Sequence, residues 1–360
     1  MTLRLALVGG PMYDGLNEVL SGRDVEIVVH ADHPTLNREV AERLAAGERL
    51  DLISTHSKYA PSQAQWLRAL DDLASDETVG ALAPAAVDLC RFGGGLMSLP
   101  RNIDVRVLWW RTDCLDAAPS SWAQLTEKDC GFGFPGRESG LFGTFFELVV
   151  GNGGRLFSDE GKPVVASDVA VEAVETLCRL AARAPADLST WHYDQVDEAL
   201  LEGRIWAAAA WPGAYGPIRD GALAGLLAPA PYPAGRERWV SYSGCHSWAI
   251  PNTCGDLDGA LGLLELLGSE STAALDAQGG SIPAHVQALG RIQPTDGVDA
   301  QRLAITRRTI EEAMITYPGL TRFPSIEEAG WRAINAALTG RCSAVETVDR
   351  IQHAAEEALS

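Results

Sequence analysis

A polar loop that contains glycine leads directly into an apolar helix near the middle of the chain. The loop runs from Pro135 to Gly140 and carries Arg137, Glu138 and Ser139. Backbone amides at the start of a helix attract polar and anionic groups, and loops commonly carry binding residues. The apolar residues that follow recur at helical spacing and anchor the loop in a core. We predict that the loop holds a small polar ligand, with an ordinary loop-to-helix junction as the alternative.

The segment from Leu96 to Asp113 is predicted to begin with a turn at Pro100 and to continue as an extended run, and it carries a second group of polar residues. Alternation places Asn102, Asp104 and Arg106 on one strand face, opposite apolar neighbours. Burying three polar groups is costly unless each has a partner. This face is therefore predicted to line a cleft. The alternative is a surface edge strand in which Asp104 pairs with Arg101 or Arg106.

Catalytic sequence patterns give little support to an enzyme. The sequence contains no His-Glu-x-x-His motif, no Gly-x-Ser-x-Gly elbow and no Gly-x-x-x-x-Gly-Lys phosphate loop. Cys245 and His246 are adjacent on a predicted strand, so their side chains point to opposite faces and do not form a nucleophile and base pair. Glycoside hydrolysis needs two carboxylates about 5 to 10 Å apart. Asp104 and Glu138 stay open as such a pair.

Histidine spacing gives only a weak indication of a metal centre. His30 and His33 are separated by two residues, and the sequence offers no evident third ligand for them. We therefore expect neither a metal ion nor a cofactor.

The elements that must position these residues begin with alternating strands and helices. Strands are predicted at residues 3–8, 25–30 and 51–55, with helices at 14–21 and 35–46 between them. This order predicts an α/β domain with a parallel sheet. Ligands of such sheets bind beyond the carboxyl ends of the strands. The residues at those ends are Pro11, Met12 and Tyr13 after the first strand, and Thr55, His56, Ser57 and Lys58 after the third.

A second α/β unit is predicted for residues 165–229, with a strand at 205–211. Trp211, Gly213 and Tyr215 lie at the carboxyl end of that strand. Aromatic rings beside glycine suit stacking on sugar rings, and core packing is the alternative. Further along the chain, a strand is predicted at residues 243–250 and helices at 168–184, 194–203, 257–290, 305–315, 326–338 and 345–359.

Composition and charge narrow the function classes. A chain of 360 residues is expected to form two domains or one large one. Its 29 basic and 48 acidic residues give a net charge of −19, which argues against a nucleic-acid partner. No apolar run reaches the length of a membrane span. The strand predicted from Thr2 to Val8 leaves no room for an export signal before it, so either a signal was removed or the protein is cytoplasmic.

The seven cysteines contain no Cys-x-x-Cys pair, and their odd number argues against a complete disulfide framework. Reduced thiols are the favoured state. A bridge between Cys245 and Cys254 stays open.

The order of six segments resembles the sugar-binding family 1 solute-binding proteins of ABC importers, the maltose-binding type. The resemblance covers nearly the whole chain, and the order is more specific than any one segment. The segments are DLISTHSKYAPSQAQWLRALDDL (51–73), LPRNIDVRVLWWRTD (99–113), SSWAQL (120–125), FGFPGRESGLF followed by NGGRLF (132–157), YSGCHSWAIP (242–251) and FPSIEEAGWRAINAALTGRCSAVETV (323–348).

The resemblance implies a two-lobed type II periplasmic-binding fold that closes on its ligand by hinge bending. Lobe 1 would comprise residues 1–107 and 246–296, and lobe 2 would comprise 108–245 and 297–360. Crossings between lobes are expected near Val107 to Trp110, Gly244 to Ser247 and Arg291 to Gly297.

Carried onto this sequence, the sugar-contacting positions of the family fall on both predicted lobes. Asp104 matches an acidic position that accepts hydrogen bonds from sugar hydroxyls. The full predicted set comprises Pro11, Met12, Tyr13, Thr55, His56, Ser57, Lys58, Arg101, Asn102, Asp104, Arg137, Glu138, Ser139, Trp211, Gly213, Tyr215, Gly244, His246 and Arg322.

The sequence departs from the maltose type in two ways. Few aromatic residues fall at the sugar-contacting positions, and Lys58, Arg101, Arg106 and Arg137 make the predicted cleft basic. Guanidinium groups match planar anions, which favours a small sugar, a sugar acid, or a phosphorylated or sulfonated sugar.

We conclude from the sequence that the protein is a monomeric receptor of an ABC importer. It is expected in the periplasm or at the cell surface. Its expected partners are a sugar or sugar-acid ligand and a membrane permease. A carbohydrate-active enzyme using Asp104 and Glu138, and a cytoplasmic sugar sensor, are the alternatives.

Overall fold

The computed structural model describes residues 1–9, 14–127 and 131–360. Its backbone contacts divide the chain into two compact units. Unit 1 comprises Met1–Asp104, Gly244–Gln293 and Gly319–Thr321. Unit 2 comprises Val105–Ser243, Pro294–Pro318 and Arg322–Ser360. Each unit is therefore assembled from segments that are distant in sequence.

Unit 1 is built on a five-stranded sheet. In spatial order its strands are Val25–Ala31, Leu3–Val8, Leu52–His56, His246–Ala249 and Leu99–Pro100. The first strand of the chain, Leu3–Val8, pairs in parallel with both of its neighbours, which confirms the predicted β-α-β-α-β order. The strand His246–Ala249 runs antiparallel to both of its neighbours. The sheet is thus mixed, and a late segment of the chain completes it.

Helices and a short hairpin surround the sheet of unit 1. The helix His33–Ala45 begins after Asp32, whose side chain accepts a hydrogen bond from the backbone N–H of Thr35. A two-stranded hairpin pairs Arg91–Phe92 with Gly95–Leu96. The other helices are Asp14–Leu20, Ala60–Gln63, the 3₁₀ turn Ala64–Trp66, Asp76–Gly80, Pro84–Leu89, Leu257–Leu267, Glu270–Gln278 and Val286–Arg291.

The prediction of one extended run from the turn at Pro100 to Asp113 is wrong. The segment forms the short strands Leu99–Pro100, Asp104–Val105 and Val107–Arg111, each in a different sheet. Between the first two of them, the backbone bonds to other parts of the chain: the N–H of residue 101 donates to the carbonyl of residue 246, and that of residue 103 to the carbonyl of residue 282. Distant backbone partners, which periodicity does not reveal, divide the segment.

Unit 2 contains a four-stranded sheet. In spatial order its strands are Leu227–Ala230, Val107–Arg111, Ala207–Ala210 and Phe132–Gly133. The strand Ala207–Ala210 lies within the predicted strand at 205–211 and is fully buried. Because its four side chains are methyl groups, bulkier neighbours can pack closely against it.

A smaller three-stranded sheet has the order Met314–Ile315, Ser241–Gly244 and Asp104–Val105. The single strand predicted at 243–250 is wrong, because the segment forms Ser241–Gly244 in this sheet and His246–Ala249 in the sheet of unit 1. The change of sheet takes place at Cys245.

The helices of unit 2 pack around Glu138–Gly151, which is almost entirely buried. Phe323–Leu338 crosses it closely at Gly330, where an added Cβ would lie 2.3 Å from the ring of Phe142. The other helices are Trp122–Glu127, Asp168–Ala181, Tyr193–Leu201, Tyr215–Asp220, Gly297–Glu312 and Ala344–Leu359, with 3₁₀ turns at Leu188–Thr190, Pro212–Ala214 and Ala224–Leu226.

Among the helices of the described ranges, none combines the length and apolarity that a membrane crossing requires.

Candidate functional site

Unit 1 brings three histidines and an aspartate together. We call His33, His56, Asp104 and His246 the histidine cluster. His56 ends the strand Leu52–His56, and His246 lies directly opposite it on the neighbouring antiparallel strand. His33 begins the helix His33–Ala45. The rings of His33 and His56 lie 4.4 and 5.2 Å from that of His246, measured between centroids.

Hydrogen bonds link three members of the histidine cluster in a chain from Asp104 through His246 to His33. Asp104 Oδ2 lies 2.8 Å from His246 Nε2, and His246 Nδ1 lies 2.6 Å from His33 Nε2. The side chain of Asn102 makes hydrogen bonds to two residues of this chain. Its Nδ2 donates to Asp104 Oδ1 at 3.0 Å, and its Oδ1 accepts from the backbone N–H of His246 at 3.0 Å. The partners of Asp104 are thus His246 and Asn102, and the predicted alternative of Arg101 or Arg106 is wrong.

Burial makes two of the histidines poor bases. Removal from water lowers the pKa of His33 and of His56 well below the ordinary value for histidine. The nearby charges of His246 and Lys58 lower both pKa values further. These imidazoles are therefore neutral near pH 7, with a lone pair on one ring nitrogen.

Other predicted residues of unit 1 lie around the same sheet edge. The Thr55 hydroxyl donates to Gln63 at 2.9 Å, and the Ser57 hydroxyl accepts from the backbone N–H of residue 245 at 3.2 Å. The ammonium of Lys58 lies 4.7 Å from the centre of the Tyr59 ring. The predictions at Pro11, Met12 and Tyr13 lie outside the described residues.

The backbone of Gly244 packs directly against the histidine cluster, and this contact depends on the absence of a side chain. A Cβ at this position would lie 2.2 Å from the imidazole of His56. Only glycine lets the ring pack against the backbone there.

In unit 2, the predicted loop is held by its own charged residues. Arg137 donates to the carbonyl of Thr190 at 2.7 Å and forms an ion pair with Glu138. Glu138 is the first residue of the buried helix and has a backbone φ of +57°, a left-handed conformation that is strained for a residue with a side chain. Ser139 follows it, half-buried. Such strain is concentrated at functional sites in proteins.

Four aromatic residues of unit 2 form a second group of interest. We call Tyr193, Trp211, Tyr242 and Tyr317 the aromatic cluster. The ring of Trp211 meets those of Tyr193 and Tyr242 edge to face, at 5.7 and 6.0 Å, and Tyr317 lies 4.8 Å from Tyr242. Trp211 remains partly exposed. The hydroxyls of Tyr242 and Tyr317 are buried and make no hydrogen bond within the described residues.

The other predicted residues of unit 2 are less suited to ligand contact. Tyr215 is buried, stacks on Trp109 at 6.3 Å and shares a hydrogen bond of 2.9 Å with Thr295. Gly213 lies in the 3₁₀ turn that follows Trp211. Arg322 is exposed just before the helix Phe323–Leu338. For Tyr215, these contacts favour the core-packing alternative.

Carboxylates compensate three of the four cations that the sequence analysis places in the cleft. Arg101 forms a buried bidentate pair with Asp276, at 2.6 and 2.8 Å. Arg106 is buried against Glu147, whose carboxylate also accepts from the Tyr232 hydroxyl at 2.6 Å and from the backbone N–H of residue 242 at 2.7 Å. Arg137 forms an ion pair with Glu138. The positive charge expected from these arginines is therefore largely neutralised.

Several residues of the two clusters, and the buried Glu147, are absent from the predicted set. His33 was noted only for its spacing from His30, which lies exposed on a strand. Tyr193 and Tyr317 belong to unremarkable segments, and Glu147 lies inside an apolar helix. A lone carboxylate in such a helix was the one signal that indicated a buried ionic partner.

The chain forms two discontinuous α/β units, and sequence comparison identifies its family. The chain belongs to the bacterial extracellular solute-binding protein family, whose model matches residues 17–290. A probable ABC transporter-binding protein of Deinococcus radiodurans is 29% identical over 181 residues, which are 44% of this chain and 43% of that protein. The match thus spans less than half the length of this relative.

Solved structures show the same fold over almost the entire chain. Maltose-bound MalE3 of T. maritima superposes with a TM-score of 0.87 and 20% identity, covering 99% of each chain. An ABC transporter solute-binding protein of Agrobacterium radiobacter K84, in complex with ribitol, gives 0.86 and 17%, covering 99% of this chain and 98% of that one. The protein therefore has the two-lobed periplasmic-binding fold, as predicted.

Proposed function

We propose that the protein is the solute receptor of an ABC importer and that it binds a small sugar or polyol without altering it. The observation that carries this proposal is the family match over residues 17–290. The solved relatives that bind maltose and ribitol are consistent with a ligand rich in hydroxyl groups.

The proposed ligand-binding residues come from both units. The histidine cluster and Asn102 offer hydrogen-bonding groups in unit 1, while the aromatic cluster offers flat apolar faces with polar tips in unit 2. We propose that units 1 and 2 act as the lobes and that they close on the solute by hinge bending near Gly244. A permease and a location outside the cytoplasmic membrane follow from this role.

The charge compensation in the site favours a neutral ligand over an anionic one. Arg101, Arg106 and Arg137 each have a carboxylate partner, so an acidic sugar would have to compete with an existing ion pair. Sugar acids and sugar phosphates are the alternative ligands, and the screen described next includes them.

A thermal-shift screen tests the proposal directly. The panel contains pentoses, hexoses, polyols and maltose, together with their acidic and phosphorylated counterparts. A ligand at 100 times its dissociation constant stabilises the folded protein by about 2.7 kcal/mol. We expect at least one neutral member to raise the melting temperature and to be recovered unchanged after incubation. A panel without any response, or a sugar converted to product, would overturn the proposal.

Trp211→Ala tests the aromatic cluster with the ligand found in that screen. Loss of a stacking face of about 1.4 kcal/mol corresponds to a tenfold weaker affinity by calorimetry. Trp331→Ala is the matched control, because Trp331 is also partly exposed in unit 2 but lies on the helix Phe323–Leu338, outside the aromatic cluster. Equal affinity of the two variants would remove the aromatic cluster from the binding site.

A further inference from the structure

Three members of the histidine cluster offer metal ligands at close range. His56, Asp104 and His246 are buried, and one ligand atom from each lies within 4.8 Å of the others. We propose that these residues bind a divalent transition-metal ion of the zinc type. Two imidazoles and a carboxylate suit Zn²⁺ and its transition-metal neighbours, whereas Ca²⁺ and Mg²⁺ prefer sites made of oxygen alone.

The ring orientation of His246 fits this role. His33 Nε2 lies 2.6 Å from His246 Nδ1, and the opposite nitrogen, Nε2, lies 2.8 Å from Asp104 Oδ2. Metal-binding histidines usually donate their second ring N–H to a fixed acceptor, which orients the ligating nitrogen. His33 provides that acceptor, so His246 Nε2 faces the proposed ion.

The neutral side chain of Asn102 orients Asp104 through a hydrogen bond. Asn102 is fully buried and donates to Asp104 Oδ1 at 3.0 Å, which leaves Oδ2 as the ligand atom. The same amide accepts a hydrogen bond from the backbone N–H of His246. One asparagine therefore positions both a carboxylate ligand and the strand that carries an imidazole ligand.

The spacing of the three ligands matches the size of a metal ion. Ligands bound at about 2.0 to 2.2 Å in a tetrahedral site are separated by roughly 3.3 Å. That value lies between the 2.8 Å contact of His246 with Asp104 and the 4.8 Å limit of the group. Small side-chain shifts thus bring all three ligand atoms onto one ion. Gly244 keeps His56 close enough, since a Cβ there would displace the imidazole.

Three protein ligands leave a fourth coordination position for water or a solute oxygen. The proposed site differs from the metal pattern considered in the sequence, because its ligands come from residues 56, 104 and 246 and not from the pair at 30 and 33. Its ligands belong to three segments that only the fold brings together.

Cobalt absorption of the full chain provides the test. The protein is stripped with EDTA, dialysed without chelator and titrated with Co²⁺ in the absence of sugar. We expect intense visible bands of four- or five-coordinate Co²⁺ that saturate near one equivalent and are abolished by Zn²⁺. Folded wild-type protein that gives only the weak bands of hydrated Co²⁺ would overturn the proposal, whatever the variants do.

Variants identify the ligands. Asp104→Asn and His246→Gln should lose the intense bands, and Asn102→Ala should weaken cobalt affinity by about 10- to 100-fold, as expected for a residue that orients a ligand. His353→Gln is the control, because His353 is exposed on the helix Ala344–Leu359 of unit 2, and this variant should bind as wild type. Wild-type affinity in a folded Asp104→Asn variant would also overturn the proposal.

The metal proposal and the sugar proposal are tested independently of each other. Cobalt binding is measured without sugar, and the sugar screen is repeated in EDTA. A sugar response without cobalt bands removes the metal site alone, and cobalt bands without a sugar response remove the receptor proposal alone.

Discussion

The buried carboxylate of Asp51 has a structural role. It accepts hydrogen bonds from the backbone N–H groups of Arg4 and Gly255, both at 2.8 Å, and from the side chain of Arg49 at 3.1 Å. Burial by itself raises the pKa of Asp51, but these donors outweigh it and hold the pKa below its ordinary value. The ionised carboxylate therefore joins three separate segments of unit 1.

This arrangement predicts a pH-dependent contribution to stability. A carboxylate whose pKa is lowered by folding stabilises the protein above the ordinary pKa of about 3.9, and the contribution is lost as the pH falls through the folded value. Asp51→Asn should therefore lower the melting temperature most at neutral pH, and the difference from wild type should shrink below about pH 4. Asp24→Asn is the control, because Asp24 is exposed. A difference that stays constant with pH would contradict the ionic role.

At the scale of elements, the strained start of the helix Glu138–Gly151 can be separated from the side chain that it carries. Glu138→Gly and Glu138→Ala both remove the ion pair with Arg137, but only glycine tolerates a φ of +57° without strain. We expect the glycine variant to be more stable than the alanine variant by about 1 to 2 kcal/mol. Denaturant unfolding of the two variants measures the difference. Equal midpoints and slopes would show that the left-handed conformation is not strained.

The contact between two helices of unit 2 gives a second prediction. Gly330→Ala would place a Cβ 2.3 Å from Phe142 and should destabilise by about 1 to 3 kcal/mol through overpacking. Gly262→Ala is the matched control in the helix Leu257–Leu267, since apart from the adjacent backbone of that helix no atom of the described residues lies within 4 Å of its added Cβ. It should be neutral or stabilising by about 0.4 to 1 kcal/mol. Chemical unfolding of both variants provides the measurement, and a neutral Gly330→Ala would refute the close crossing.

Local sequence signals predicted the elements better than they predicted the site. The opening alternation of strands and helices and the buried strand at Ala207–Ala210 followed from periodicity and composition. The strand breaks around residues 101–103 and at Cys245 did not, because the backbone partners there lie far away in sequence. The histidine cluster was hidden for the same reason. His56, Asp104 and His246 belong to the predicted site residues, but their partnership with one another and with His33 depends on strand pairing.

Residue charges were also easier to count than to interpret. The sequence reveals Arg101 and Arg106 but not that Asp276 and Glu147 neutralise them. Ion pairing between distant residues is decided by tertiary packing, so a basic cleft does not follow from the presence of basic residues.

For the whole molecule, hinge closure predicts a measurable change of size. The chain passes between the two units at residues 104–105, 243–244, 293–294, 318–319 and 321–322. If these passages act as hinges, saturating ligand should lower the radius of gyration measured by small-angle scattering. A sugar that gives no thermal response is the control. Identical scattering curves with and without the bound ligand would contradict closure.

The position of His246–Ala249 in the sheet of unit 1 also has a consequence for biosynthesis. This strand covers the edge of Leu52–His56, yet the ribosome makes it only after most of unit 2. At about 5 to 20 residues per second, the delay is roughly 10 to 40 seconds. During that interval the strand Leu52–His56 lacks its partner on one side, and an unpaired strand edge can pair with other chains. The histidine cluster therefore forms only once residue 246 has been made.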